Sequence, residues 1–82
     1  MVEEYKVFRF IRQYRKITLH EVAKALGVAF STVSMIERGI MVLTKENRAK
    51  LLGFYGIDNE RLQSLRVIVH HIELYLNGEG TA

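Results

Sequence analysis

Apolar positions along this chain recur at helical rather than alternating spacing, and glycines or capping residues divide the pattern into five segments. Between Glu3 and Arg15, Val7, Phe10, Ile11 and Tyr14 fall three and four residues apart, one stripe of a helix with Phe8 beside it. Thr18 is placed to cap a second helix through Leu26. Glu21, three residues on, completes a capping box, and Gly27 supplies the left-handed residue that ends the helix. A third helix is predicted from Ala29 or Phe30 to Arg38, stopping at Gly39. Thr44 caps a fourth that reaches about Tyr55 and closes at Gly56, and Asp58 or Asn59 caps a fifth running to Leu76 before Asn77-Gly78. The prediction is an all-α chain, a five-helix bundle with no strand, and a frayed tail over 78–82.

The second and third segments have the layout of a helix-turn-helix. Two helices that cross at roughly 90–120° through a three-to-four-residue turn approach most closely where Ala23 stands, and a larger side chain there would push them apart. Gly27 takes the turn conformation with positive φ at least cost. Val22, Leu26, Val28, Val33 and Ile36 are the apolar positions that such a crossing buries against the first and fourth helices.

Composition narrows what these helices can belong to. At 82 residues, 49% hydrophobic and 26% charged, the chain has material for one small core and no room for a second catalytic domain. The absence of cysteine excludes a disulfide framework or a thiolate metal site, which leaves dimerisation as the obvious supplement to stability. No apolar run approaches the roughly 18 residues of a membrane span, and no signal-peptide pattern is visible, so a soluble cytoplasmic protein without a membrane partner is expected. The formal net charge is +3, unevenly spread: residues 1–55 hold ten Lys/Arg against five Asp/Glu, and residues 56–82 two against four. The basic two thirds suit a polyanionic partner.

With Leu19 to Glu37, the preceding Ile17-Thr18, the following Ile36-Glu37-Arg38-Gly39 and the closing Gly56-Ile57-Asp58 in view, the chain resembles the Cro and phage-repressor, or XRE, family of helix-turn-helix regulators. The resemblance spans about Phe8 to Asp58 and implies a bundle whose third helix enters the major groove of DNA. Among its members, small stand-alone dimers such as Cro-like repressors and restriction-modification controller proteins are similar in size and layout. An arginine of the first helix commonly pairs in this family with the glutamate of the Ile-Glu-Arg-Gly stretch, and Arg12 and Glu37 occupy those places. The implied DNA-contacting positions are Thr18 and Leu19 on the second helix and Phe30, Ser31, Thr32, Ser34 and Met35 on the third, with Lys16, Arg38, Lys45 and Arg48 as phosphate contacts. Lys45 and Arg48 stand where relatives often carry apolar residues, which implies a fourth helix that is rotated or unusually hydrated.

Two features of that face depart from the family pattern. Leu19 replaces the usual Gln, and the third helix offers hydroxyls, Phe30 and Met35 rather than bidentate base readers. The loop after Gly39, normally polar, is Ile40-Met41-Val42-Leu43, so Leu19, Phe30, Met35 and the loop together form a candidate apolar patch. On the fifth helix Leu62, Leu65, Val69, Ile72 and Leu76 follow 3-4-3-4 spacing, widened by Ile68 and Tyr75, over about 27 Å. One edge must seal the domain's own core. The surplus points to a two-fold homodimer, although a seam of barely two heptads is short for a coiled coil and a purely intramolecular role stays open. The chain therefore divides into a DNA-binding core over 1–58 and a dimerisation helix over 59–77.

The remaining chemistry is sparse. His70 and His71 point about 100° apart on a helix and His20 is remote in sequence, so no metal site is expected. Asp58 is the only aspartate and serves better as a cap, and no serine has an evident base. Neither an enzyme nor a cofactor is implied. Two readings stand: a homodimeric, sequence-specific transcriptional regulator on a pseudo-palindromic operator, or an interaction module that binds another protein through the apolar face, as an anti-repressor does.

Overall fold

A computed structural model describes residues 1–77, and the expected fraying of 78–82 lies outside them. The described residues form α1 (Glu4–Tyr14), α2 (Leu19–Leu26), α3 (Phe30–Glu37), α4 (Lys45–Tyr55) and α5 (Asn59–Leu76), with no strand. Local capping chemistry sets most of these limits. Thr18 Oγ1 accepts from the Glu21 backbone N–H at 3.1 Å, and the Glu21 carboxylate accepts from the Thr18 N–H at 3.4 Å. Thr44 and Asp58 accept from Asn47 N–H at 3.1 Å and Arg61 N–H at 2.8 Å in the same way. Gly27 and Gly56 end α2 and α4 in the left-handed conformation.

Helix α1 lies against α3 and α5, while α2 lies against α3 and α4. The core they enclose is built from Val7, Phe8 and Ile11 of α1, Val22, Ala23 and Leu26 of α2, Val33 and Ile36 of α3, Leu51 and Tyr55 of α4, and Leu62 and Val69 of α5. The small Ala23 and the apolar flanks expected of the α2–α3 crossing are buried, with Val28 packed partly against them. Val2 joins this core although it precedes the first helix; the Arg66 side chain holds it by donating to the Val2 carbonyl. Gly39, at φ 74°, is pressed against α1: a Cβ there would sit 2.6 Å from the Tyr5 ring.

Two stripes turn out differently from the sequence pattern. Tyr14 is 79% exposed, because the last turn of α1 overhangs a groove that it lines with Ile11, Ile57 and Leu65, and its ring lies nearly parallel to that of Phe10. On α5, Leu62 and Val69 are consumed by the domain's own core and Leu65 is partly packed against it, so these three are not free for a seam between subunits. Ile68, Tyr75 and Leu76 remain exposed, with Ile72 half-buried beside them. A helix stripe about 100° wide can serve two partners only by its edges, and periodicity alone does not say which edge faces inward.

Candidate nucleic-acid interface

The outer face of α3 is set by which of its residues the core removes. Val33, Ile36 and Glu37 point inward, leaving Ser31, Ser34 and Arg38 at steps of three and four on the opposite face, with Phe30 on one flank and Met35 on the other. Thr32 is half-buried at the edge of this face. Phe30, the first residue of the helix, is 49% exposed, and its ring is covered on one side by the imidazole of His20, with centroids 4.7 Å apart. The sequence treated His20 only as a candidate metal ligand; the α2–α3 turn brings it to Phe30, ten positions on.

Glu37 anchors α3 from behind. Arg12 Nε donates to Glu37 Oε2 at 2.8 Å and Oε1 at 3.1 Å, and Arg12 Nη1 donates to the Ile17 carbonyl at 2.9 Å. Both side chains are largely withdrawn from solvent. Desolvation offsets much of the attraction in such a pair, so its main effect is to hold α1, the α1–α2 turn and α3 in one geometry.

Six cations near α3 and α4 divide into two groups. Arg48 does not present its charge outward as expected. Its Nε and Nη2 donate to Glu4 Oε1 at 2.7 Å and Oε2 at 3.1 Å, and Nη2 also meets Asn59 Oδ1, so it joins α4 to α1 and α5. Gln63 donates to the same carboxylate at 2.7 Å. These hydrogen bonds, Arg48's foremost, hold the Glu4 carboxyl below its ordinary range against the opposing effect of burial. Leu51 and Tyr55 still carry α4 into the core, so the polar residues at its start leave the helix packed. Arg15 donates to the Tyr55 carbonyl at 2.8 Å and Lys50 to the Leu26 carbonyl at 3.3 Å, each closing a helix C-terminus. None of these capping roles was visible in the sequence, because their partners lie 24 to 44 positions away.

Lys16, Arg38 and Lys45 are the second group: all exposed, and without an ion pair among the described residues. Lys16 adopts φ 57° in the α1–α2 turn, a conformation an L-residue rarely takes. It stands just before α2, whose first turn meets the start of α3 through His20, and Lys45 opens α4 after the loop that leaves the end of α3. That loop is held by Ile40 and Met41, whose N–H groups donate to the Met35 carbonyl at 2.9 and 3.2 Å. It exposes Ile40, Met41 and Val42 while Leu43 packs partly on the core. Leu19, placed by sequence on the contacting face, is half-buried and packs on the core from the start of α2.

No helix among the described residues is long and apolar enough to cross a membrane. No curated protein and no solved structure matches the chain at a significant level. A family model described as helix-turn-helix matches residues 9–58, more than half of the chain and the stretch that holds α2, α3, α4 and the latter part of α1. With the capped α2, the left-handed Gly27, the buried crossing at Ala23 and the Arg12–Glu37 tie, the chain belongs to the XRE-type helix-turn-helix family of DNA-binding regulators.

Proposed function

We propose that the protein is a sequence-specific transcriptional regulator that acts as a homodimer on a pseudo-palindromic operator. The observation that carries this reading is the outward strip of Ser31, Ser34 and Arg38 on α3, with unpaired lysines at the elements flanking either end of that helix. Hydroxyls and a guanidinium can meet base edges or phosphates, and Lys16 and Lys45 supply backbone attraction. The remaining proposed contacts are Thr18, Phe30, Thr32 and Met35. Pairing is supported by an apolar band made by Phe10 and Tyr14 of α1 with Ile68, Ile72, Tyr75 and Leu76 of α5, much of it left open by the single chain. Selection from a pool of random duplexes tests the reading: a palindromic site should be enriched with at least about a thousandfold preference over bulk DNA, and enrichment of no site at any salt would overturn it.

The exposed run Ile40-Met41-Val42, at the opposite end of α3 from the exposed Phe30, favours a second reading, an interaction module whose apolar face takes up another protein. It requires weak, unselective DNA binding, and a partner lost on Met41→Asp while the fold persists.

A further inference from the structure

We infer that Phe30, braced by His20, reads the C5-methyl group of a pyrimidine in the major groove, so that each half-site carries a thymine whose methyl group is itself required. The inference rests on the DNA-reading function proposed above and specifies the chemistry of its target. Three observations lead to it. The exposed side of α3 holds no amide or carboxylate, so the bidentate recognition of adenine and the carboxylate recognition of cytosine have no agent there. The largest group at the N-terminal end of α3, the end that helix-turn-helix proteins turn toward base edges, is an aromatic ring half open to solvent. His20, from the first turn of α2, lies against that ring with centroids 4.7 Å apart and the planes inclined by 33°, which leaves the rest of the ring surface as an apolar contact.

Each base pair shows donors and acceptors in the major groove, and the apolar feature they offer is the C5-methyl group of thymine. A hydroxyl or a solvated cation gains nothing from it. A preset phenyl ring gains the burial of one methyl group, and any other base in its place leaves polar base-edge atoms facing hydrocarbon. The same group is carried by 5-methylcytosine, so the chemistry recognised is a 5-methylpyrimidine edge rather than the A·T pair as such. His20 acts as a positioning residue, since it limits the directions the ring can take without itself having to reach the base.

The test starts from the duplex selected out of the random pool. Each thymine is replaced in turn by deoxyuridine, which removes the methyl group and leaves every hydrogen-bonding group in place. One position per half-site should weaken binding about fourfold, corresponding to roughly 0.8 kcal/mol for one buried methyl-sized group. Repeating the series with Phe30→Ala should abolish the effect at that position, whereas Ser31→Ala should preserve it and His20→Ala should diminish it. At the same position 5-methylcytosine should outperform cytosine by a similar factor, and loss of that advantage in Phe30→Ala identifies the methyl group rather than local duplex shape as its source. Phe30 is half exposed, and an unchanged thermal midpoint in its alanine variant separates loss of reading from loss of fold. A selected site whose affinity ignores every deoxyuridine replacement, or a methyl effect that survives Phe30→Ala, overturns the inference while leaving the DNA-reading function intact. Failure to select any site overturns both.

Discussion

Glu37 is a buried carboxylate whose partner comes from another helix, and its removal leaves Arg12 with only the Ile17 carbonyl. Breaking one side of a buried pair costs about 3–5 kcal/mol. Because Arg12 retains that carbonyl, Glu37→Ala should fall near the lower limit, about 3 kcal/mol by chemical denaturation, and an unchanged midpoint would deny the pair its structural role. Tyr55 shows the opposite case. Its ring is packed between Phe8 and Phe54 under the Arg15 guanidinium, but its hydroxyl finds no hydrogen-bond partner among the described residues. Tyr55→Phe should therefore stabilise, by about 1 kcal/mol. Burial, with the Glu37 charge second, pushes the Tyr55 phenol up to about 12. The unfolded chain releases that proton near 10. Between these values the unfolded state binds fewer protons than the native one, so stability falls as pH rises from about 10 to 12. The phenylalanine variant should lose less stability over that interval in parallel melts, and identical alkaline slopes would contradict the assignment.

Helices were legible where their limits are local. Thr18 with Glu21, Thr44, Asp58, Gly27 and Gly56 announce themselves within four residues, and the structure places each cap or left-handed end accordingly. The α3 face was legible for the same reason, since a period of 3.6 decides what lies opposite Val33 and Ile36. Contacts between distant positions were not. Nothing near Arg48 foretells Glu4, and nothing near Val2 foretells its burial under α5. A stripe on α5 is visible as periodicity, yet only tertiary packing shows that Leu62 and Val69 face inward and Ile68 outward. That distinction changes the test of assembly. Val69→Asp puts a charge into the core and should unfold the domain, so it says nothing about pairing. Ile68→Asp, 52% exposed in the single chain, should keep its circular dichroism and shift sedimentation from twice the monomer mass to the monomer mass. A wild-type chain that sediments as a monomer at micromolar concentration would remove the dimer.

For the molecule as a whole, the basic excess of residues 1–55 overstates the charge offered to a partner. Arg12, Arg15, Arg48 and Lys50 neutralise carboxylates or close helix ends within the fold. Of the exposed cations without an ion pair among the described residues, Lys16, Arg38 and Lys45 are the ones on or beside the α3 face, and the proposed dimer would bring six of them to phosphates. At about 0.9 per neutralised phosphate the logarithm of affinity should fall with that of salt at a slope of about −5. Charge reversal at Lys45 should flatten this by about 2, whereas Arg48→Ala should act through stability and leave the slope of the folded protein unchanged. A slope near zero would mean that DNA is not held through these groups.

The position of α1, packed on α3 along one side and on α5 along another, makes it the strut between the reading head and the proposed seam. The Arg12–Glu37 tie fixes the angle of that strut. Adding one base pair between half-sites moves them about 3.4 Å apart and turns one against the other by roughly a tenth of a turn. A head that cannot swivel meets only one such spacing. Glu37→Gln, which keeps the volume and weakens the tie, should therefore broaden the range of spacers accepted in a selection with randomised spacer length, and an equally narrow range would locate the ruler elsewhere. In the proposed dimer, one buried ion pair on the core side of α3 would set how far apart the two halves of its operator must lie.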